Sequence, residues 1–319
     1  MQWLLQLIPP KAVLVTQQLW RILYQKFLVM RFVLHTNAVF VVAGLCKAMS
    51  MIGKKGDVIR VPGVTRGSAS AFAEGTAVTI QNDTASQISI NIDQHFEYSR
   101  LVSDLAEMQA LDSQRSFYTE DAGYQLSKKV DSRLLHEGKF AGDGDGTSWV
   151  NSNSFFNDAT NGITAYAVDT VTTADVVNDA FIRAMIQKQD DLDVPYDNRA
   201  LIMPPSMKST MLGIDRYVSS DFVSGRAVDN AKIGEIYGIP LYVTTNTHVT
   251  ETASENSAGG ELKAAMLMHK DDIILSMQRD IRTQTQYKQE WLSDLVTSDV
   301  VFGTKAYRDA NIFNIIVNA

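Results

Sequence analysis

The chain holds 319 residues, 45 % hydrophobic and 20 % charged, enough apolar material for a sizeable core and two lobes. Lys and Arg total 29 against 36 Asp and Glu, a formal net charge of -7, and no basic run is longer than Lys54-Lys55, which argues against tight nucleic-acid binding. The single cysteine, Cys46, excludes an internal disulfide and, set in an apolar run, reads as a buried thiol in a reducing compartment.

Residues 27–46 (FLVMRFVLHTNAVFVVAGLC) are apolar enough to pose a membrane question. Arg31, His35 and Asn37 interrupt the stretch, which starts late and lacks a convincing cleavage pattern. The reading is an amphipathic arm that packs on neighbours, ahead of a transmembrane span or a cleaved signal. From Gly53 two strand signals follow, GKKGDVIRVPGV and SQISINIDQHFEYS. In the second, Ile88, Ile90 and Ile92 alternate with Gln87, Ser89, Asn91 and Asp93, the pattern of a half-buried strand. Residues 63–77 between them carry three glycines and no apolar periodicity, which predicts a long hairpin with a projecting tip.

A helical period begins at Leu101, with Leu105, Met108 and Leu111 on one stripe, then Tyr118, Ala122, Leu126, Val130 and Leu134 spaced by four. No proline interrupts it, so the spacing predicts mostly one helix over residues 101–138, about 38 residues and ~57 Å long, stopped by Gly138. Lys128, Lys129, Asp131, Arg133 and Glu137 lie off the stripe and read as a face for water or a partner. Residues 141–162, rich in Gly, Asp and Asn, read as a loop. An α/β region then begins at Thr173, with Val177, Ala180, Phe181, Ala184 and Met185 as a helical stripe. Residues 200–203 form a strand, Pro204-Pro205 stop it and start a helix through Met211, and residues 236–244 form the next strand. Ile281, Thr283, Thr285 and Tyr287 alternate with Arg282, Gln284, Gln286 and Lys288, and further strands lie near Val300 and Ile315. No internal repeat is present.

A hairpin, a long helix, an α/β lobe and returning strands occur here in a fixed order. With them go the segments KKGDVIRVPG, ISINIDQHFEYS, KKVDSRLLHEG, ALIMPPSMKSTML and KIGEIYGIPLYVTTN. Over residues 53–319 this resembles the tailed-bacteriophage major capsid proteins of the Hong Kong 97-type fold. The resemblance implies an α+β subunit with an N-terminal arm at 1–52, an extended β-hairpin loop at 53–98, and a spine helix with peripheral domain at 99–171. An axial domain at 172–275, returning peripheral-domain strands at 276–308 and a C-terminal axial-domain strand at 309–319 complete it. The arm departs from the family, whose arms are more polar.

The resemblance further implies self-assembly as pentamers and hexamers into an icosahedral head enclosing double-stranded DNA. The DNA is held without sequence-specific binding, which the acidic balance suits. Expected partners are further copies of the chain, a scaffolding protein during assembly, a portal protein at one vertex and, as an optional addition, a decoration protein, with no membrane. The expected location is the virion capsid, assembled in the host cytoplasm, with no catalytic role, cofactor or metal. Subunit contacts are expected from Arg60, Arg66, Phe72 and Glu74 in the extended loop and from Arg226 in the axial loop at 219–230, with Trp291 packed into the peripheral sheet. Two other readings stay open: an encapsulin-like compartment shell, and a membrane-anchored α/β enzyme.

Chemistry has few footholds. Ser206 follows a strand and opens a helix, but PPSMK is not a G-x-S-x-G elbow, and a helix cap is the simpler role. His35, His95, His136, His248 and His269 show no catalytic pattern. Asp143, Asp145 and Gly146 begin like a calcium loop that lacks its closing Glu, and Asn82-Asp83-Thr84 reads as a turn. Asp190-Asp191 and Asp271-Asp272 read as solvated loop ends.

Overall fold

The computed structural model describes residues 40–63, 86–109, 114–141, 149–150, 152–172, 175–214, 234–252 and 260–318, with positions 67, 69, 71, 72, 74, 75, 77 and 80 between the first two stretches. In chain order the elements begin with β1 (Lys47–Ser50), β2 (Val58–Gly63), β3 (Ser86–Asn91), β4 (Gln94–Ser103), α1 (Asp104–Gln109) and α2 (Gln114–His136). Next come β5 (Ser154–Asp158), β6 (Gly162–Ala165), α3 (Asp179–Asp190), β7 (Arg199–Met203), α4 (Pro205–Leu212), β8 (Glu235–Ile236) and β9 (Ile239–Val243). The last are β10 (Val249–Glu251), β11 (Leu262–His269), β12 (Ile273–Lys288), β13 (Ser293–Ala306) and β14 (Phe313–Asn318). They group into two compact units.

The larger unit, residues 42–94, 133–278 and 302–318, is built on an eight-stranded sheet in the order β6-β5-β14-β11-β7-β9-β8, with β10 paired to β11. All five residues of β7 are buried, which is why ALIM reads as a continuous apolar run instead of an alternation. Helix α4 links β7 to the parallel β9. It starts where expected, because Pro205 fills a first-turn position whose missing N–H costs nothing. Helix α3 is capped by Asn178, whose Oδ1 accepts the Phe181 N–H at 2.8 Å. Phe181, Ile182 and Met185 of α3 and Met207 and Met211 of α4 meet Leu201, Leu267, Phe313 and Ile315 of the sheet in one core.

The smaller unit comprises residues 40–41, 95–132 and 279–301. Here β12, β13 and β4 lie side by side. The expected α2 stripe is real, with Ala122, Leu126 and Val130 buried. The alternation in β12 holds in part: Ile281, Thr283 and Thr285 are half-buried between exposed Arg282, Gln284 and Gln286, but Tyr287 is exposed and Lys288 half-buried.

Several expectations are overturned. Helix α2 has 23 residues, about 34 Å of rod, not the single helix expected over 101–138. Leu101, Val102 and Ser103 finish β4, where pairing to β13 overrides helical spacing; residues 110–113 lie outside the described residues. Off-stripe Asp131 is fully buried and accepts the Val41 N–H at 2.8 Å, and Glu137 is buried too, so that face is not simply solvated. Ala180 is exposed while Ile182 takes its expected place in the core. The loop predicted over 141–162 contains β5, laid parallel on β14. Residues 236–244 are not one strand: Tyr237 and Gly238 both have positive φ, 50° and 76°, and make a tight two-residue turn between β8 and β9. Trp291 is 62 % exposed and does not pack into the sheet. Cys46 is buried, as expected.

Candidate functional site

The hairpin of β2 and β3 is the most distinctive construction in the larger unit. Its register runs from Val58 opposite Asn91 to Gly63 opposite Ser86, without a bulge. Ile59 pairs with Ile90 and Val61 with Ile88, so the β-branched residues share one face while Arg60, Gln87, Ser89 and Asn91 take the other. The base of this stalk is tied down three ways. Ile92 donates its N–H to Asp57 O at 2.8 Å, Met51 donates to Met277 O at 2.8 Å, and the Gln278 side-chain amide donates to Gly56 O at 2.7 Å. Gly303 of β13 allows the stalk to cross closely, since a Cβ there would stand 2.3 Å from Asn91 O.

Of the residues expected at subunit contacts, Arg60 stands exposed on the outer face of β2, and Phe72 and Glu74 are exposed beyond it. Phe72 leaves 66 % of its surface to solvent, costly for a side chain of that size unless something covers it. Arg66 and Arg226 lie outside the described residues.

Beside the stalk a polar groove of about 480 Å³ is lined by Gln87, Ser89, Asn91 and Asp93 of the hairpin side and by Arg133, Glu137, Thr304 and Lys305. Thr304 donates its hydroxyl to Glu137 Oε1 at 2.8 Å, and Arg133 Nε lies 3.8 Å from the same oxygen. Burial pushes the Glu137 carboxyl up, against the pull of the Thr304 bond and the Arg133 charge. This arrangement can hold polar groups in register, but it presents no nucleophile with an adjacent base.

Behind the groove, His136 and His248 meet with ring centroids 4.5 Å apart, and Trp149 lies 5.5 Å from His248. No local pattern hinted at this pairing, because the two histidines lie 112 positions apart. His248 Nδ1 lies 2.8 Å from Val249 O, an acceptor only, so that nitrogen carries the proton. Burial pulls the His136 ring down to about 4, helped by Lys139, His248 and Arg133, and burial lowers His248 as well. Both rings are therefore neutral at pH 7. Near them Gly138 packs against Asn314, Trp149 and Met266. Close contact at that position, not a left-handed cap, is the reason for glycine there.

Of the two acidic pairs, Asp190 and Asp191 are exposed as expected, whereas Asp272 is not. Asp190 binds the buried Arg199 guanidinium at 2.7 Å, while Arg199 also donates to Val194 O and Pro195 O. Asp272 is fully buried, accepts the His269 N–H at 2.6 Å and the Asn311 side-chain amide at 3.3 Å, and is pushed by burial up to about 6. In the smaller unit, burial raises the Asp299 carboxyl, but hydrogen bonds from Arg279 and Arg282 outweigh it and hold the group below its ordinary range.

Ser206 is not a cap: Pro204 takes the N-cap position, and the Ser206 hydroxyl is buried without a hydrogen-bond partner. Asp143, Asp145, Gly146, Asn82, Asp83 and Thr84 lie outside the described residues. Among the described residues no group of three or more His, Cys, Asp or Glu side chains could hold a metal, and no helix is long and apolar enough to cross a membrane.

No protein-family model and no curated protein matches the chain. Solved structures do. The capsid of cyanophage P-SCSP1u aligns with a TM-score of 0.65 at 14 % identity, covering 88 % of this chain and 89 % of that one. The mature capsid of bacteriophage PhiM1 aligns at 0.60 and 13 % identity, covering 85 % of each. A virus-like particle from Pyrococcus furiosus aligns at 0.53 and 12 % identity, covering 92 % of this chain and 99 % of that one. The chain therefore has the α+β, Hong Kong 97-like fold seen in phage capsids.

Proposed function

We propose that this chain is the major capsid protein of a tailed phage, a structural subunit that assembles with copies of itself into the shell of the virion. The observation that carries the reading is likeness to phage capsid structures along most of the chain. The physics of the stalk supports it. A two-stranded hairpin whose outer positions leave Phe72 and Ile80 in water is not self-sufficient and gains burial on another subunit.

The finer reading is of pentamers and hexamers in an icosahedral head, built in the host cytoplasm around a scaffolding protein, with a portal at one vertex and DNA inside. In this reading the hairpin is the extended loop, the smaller unit the peripheral domain, and the eight-stranded sheet the axial domain. Arg60, Arg66, Phe72, Glu74 and Arg226 contribute the subunit contacts.

Expression alone and with the candidate scaffolding protein, followed by sedimentation and negative-stain electron microscopy, tests this. Regular shells or capsomer rings are expected; monodisperse monomers under both conditions overturn the proposal. Deleting residues 66–74 is expected to leave a folded subunit that no longer closes shells. A second reading, a compartment enclosing protein cargo, draws on the likeness to the Pyrococcus particle. Nuclease-resistant DNA in native particles supports the phage head, and co-purifying enzyme the compartment.

A further inference from the structure

Two histidines of the larger unit have no role in the shell reading. His136 ends α2, His248 lies just before β10, and their ring centroids are 4.5 Å apart. His248 gives its Nδ1 proton to Val249 O at 2.8 Å, so its lone pair sits on Nε2. A ring held by a backbone carbonyl through one nitrogen, with a lone pair on the other, is the arrangement of a metal-binding imidazole. His136 Nδ1 is buried with no hydrogen-bond partner among the described residues. Burial keeps both rings neutral at pH 7, so neither must shed a proton before it can ligate.

Other atoms around the pair lack partners too. Trp149 is 5 % exposed and Asn314 fully buried, yet Trp149 Nε1, a donor, and Asn314 Oδ1, an acceptor, are both unpaired. Both side chains close on Gly138, two residues beyond His136, at 3.2 and 2.9 Å from where a Cβ would stand. Buried groups of this kind normally meet water or an ion. A metal-bound water answers both, accepting from the indole and donating to the amide oxygen.

The ring spacing narrows the choice of ion. With nitrogen roughly 2.0 Å from a metal and about 1.2 Å from its ring centre, two coordinating rings stand about 5.2 Å apart at a tetrahedral angle and about 4.5 Å apart at a right angle. The observed 4.5 Å matches the right angle, the preference of tetragonal Cu2+ and Ni2+ and not of tetrahedral Zn2+. No third His, Cys, Asp or Glu joins the pair among the described residues, which leaves the remaining positions to water. Arg133 and Lys139 oppose a cation here, and Glu137, 3.8 Å from Arg133 Nε, offsets one of them.

We infer that His136 Nδ1 and His248 Nε2 form a two-histidine site for a divalent transition metal of tetragonal preference, with Trp149 and Asn314 holding its water. Such an ion ties the end of α2 to a segment 112 positions away. The site lies within one subunit and stands or falls independently of the shell reading.

The probe is NiCl2 or CuCl2, added at neutral pH to the untagged full-length chain after chelator treatment. Calorimetry is expected to show one metal bound per chain, and thermal unfolding a melting temperature raised by several degrees. His136→Gln and His248→Gln, each checked for folding by circular dichroism, should weaken binding about tenfold or more. Lys139→Met should tighten it several-fold by removing a like charge. A second readout leaves the histidines untouched. In a chain whose only tryptophan is Trp149, through Trp3→Phe, Trp20→Phe and Trp291→Phe, bound Cu2+ should quench most of the fluorescence, because Trp149 lies 5.5 Å from His248. Electron paramagnetic resonance should show tetragonal Cu2+ with two nitrogen ligands. Failure of both ions to bind overturns the inference and leaves a pair bridged by water alone. Binding unchanged in both histidine variants, or an unquenched Trp149, overturns it in favour of another site such as exposed His95.

Discussion

Gly303→Ala is expected to dislodge the hairpin stalk from β13. An added Cβ would stand 2.3 Å from Asn91 O, 3.0 Å from Asn91 C and 3.1 Å from Ile92 Cα, all of them backbone atoms that cannot rotate away. Non-bonded carbon and oxygen settle at roughly 3.3 Å, so the stalk must retreat by about 1 Å. In an open strand the same substitution stabilises by about 0.5–1 kcal/mol, because alanine loses less backbone entropy on folding. The clash reverses that sign, to a loss on the order of 1–3 kcal/mol, the usual cost of overpacking. Urea unfolding of the subunit measures the loss, and sedimentation of assembled particles measures whether a displaced stalk still joins its neighbour. Gly44→Ala is the control, since nothing lies within 4 Å of a Cβ there. A Gly303→Ala chain at least as stable as its parent, with shells in normal yield, would refute the tight crossing.

Acid should weaken the subunit through the His136–His248 pair. Unfolded His136 takes a proton near 6.5 and the folded ring only near 4, so stability present above pH 6.5 is lost as pH falls between these values, by about 1–3 kcal/mol. His136→Gln should flatten that decline in urea midpoints measured from pH 7 to 4. Asp272 works oppositely: its folded carboxyl takes a proton near 6 and its unfolded one near 3.8, so the folded state gains stability as pH falls through that window. Asp272→Asn should therefore steepen the acid loss, and an unchanged slope would contradict the burial argument. Arg199→Met should cost about 3 kcal/mol or more by stranding Val194 O and Pro195 O, read as a lowered melting temperature. Asn178→Ala should cost about 1 kcal/mol through loss of the α3 cap, and Asn178→Asp should restore it.

Period-two and period-four spacing carried much of the fold. The inner face of β3 was readable in Ile88 and Ile90, because their side of the strand is at least half-buried and the side of Gln87, Ser89 and Asn91 is exposed. The α2 stripe and the Pro205 helix start were readable for equally local reasons. Arg60 was legible as surface from its place between the inward Ile59 and Val61, and Phe72 and Glu74 from a tip with no core period around them. The stripe through Leu101, Leu105 and Met108 was read only in part: Leu105 and Met108 lie in α1, but Leu101 lies at the end of β4, because helical spacing does not show where strand pairing stops. Local spacing determined which elements form and which face of most of them is apolar. Tertiary structure alone decided where charge is buried: Asp131, Glu137 and Asp272 look like solvated carboxylates in sequence, and only folding supplies Val41, Thr304 and Asn311 as their hydrogen-bond donors. It also brought His136 onto His248 and cleared space at Gly303 for the stalk, contacts between residues more than a hundred positions apart that no local pattern encodes.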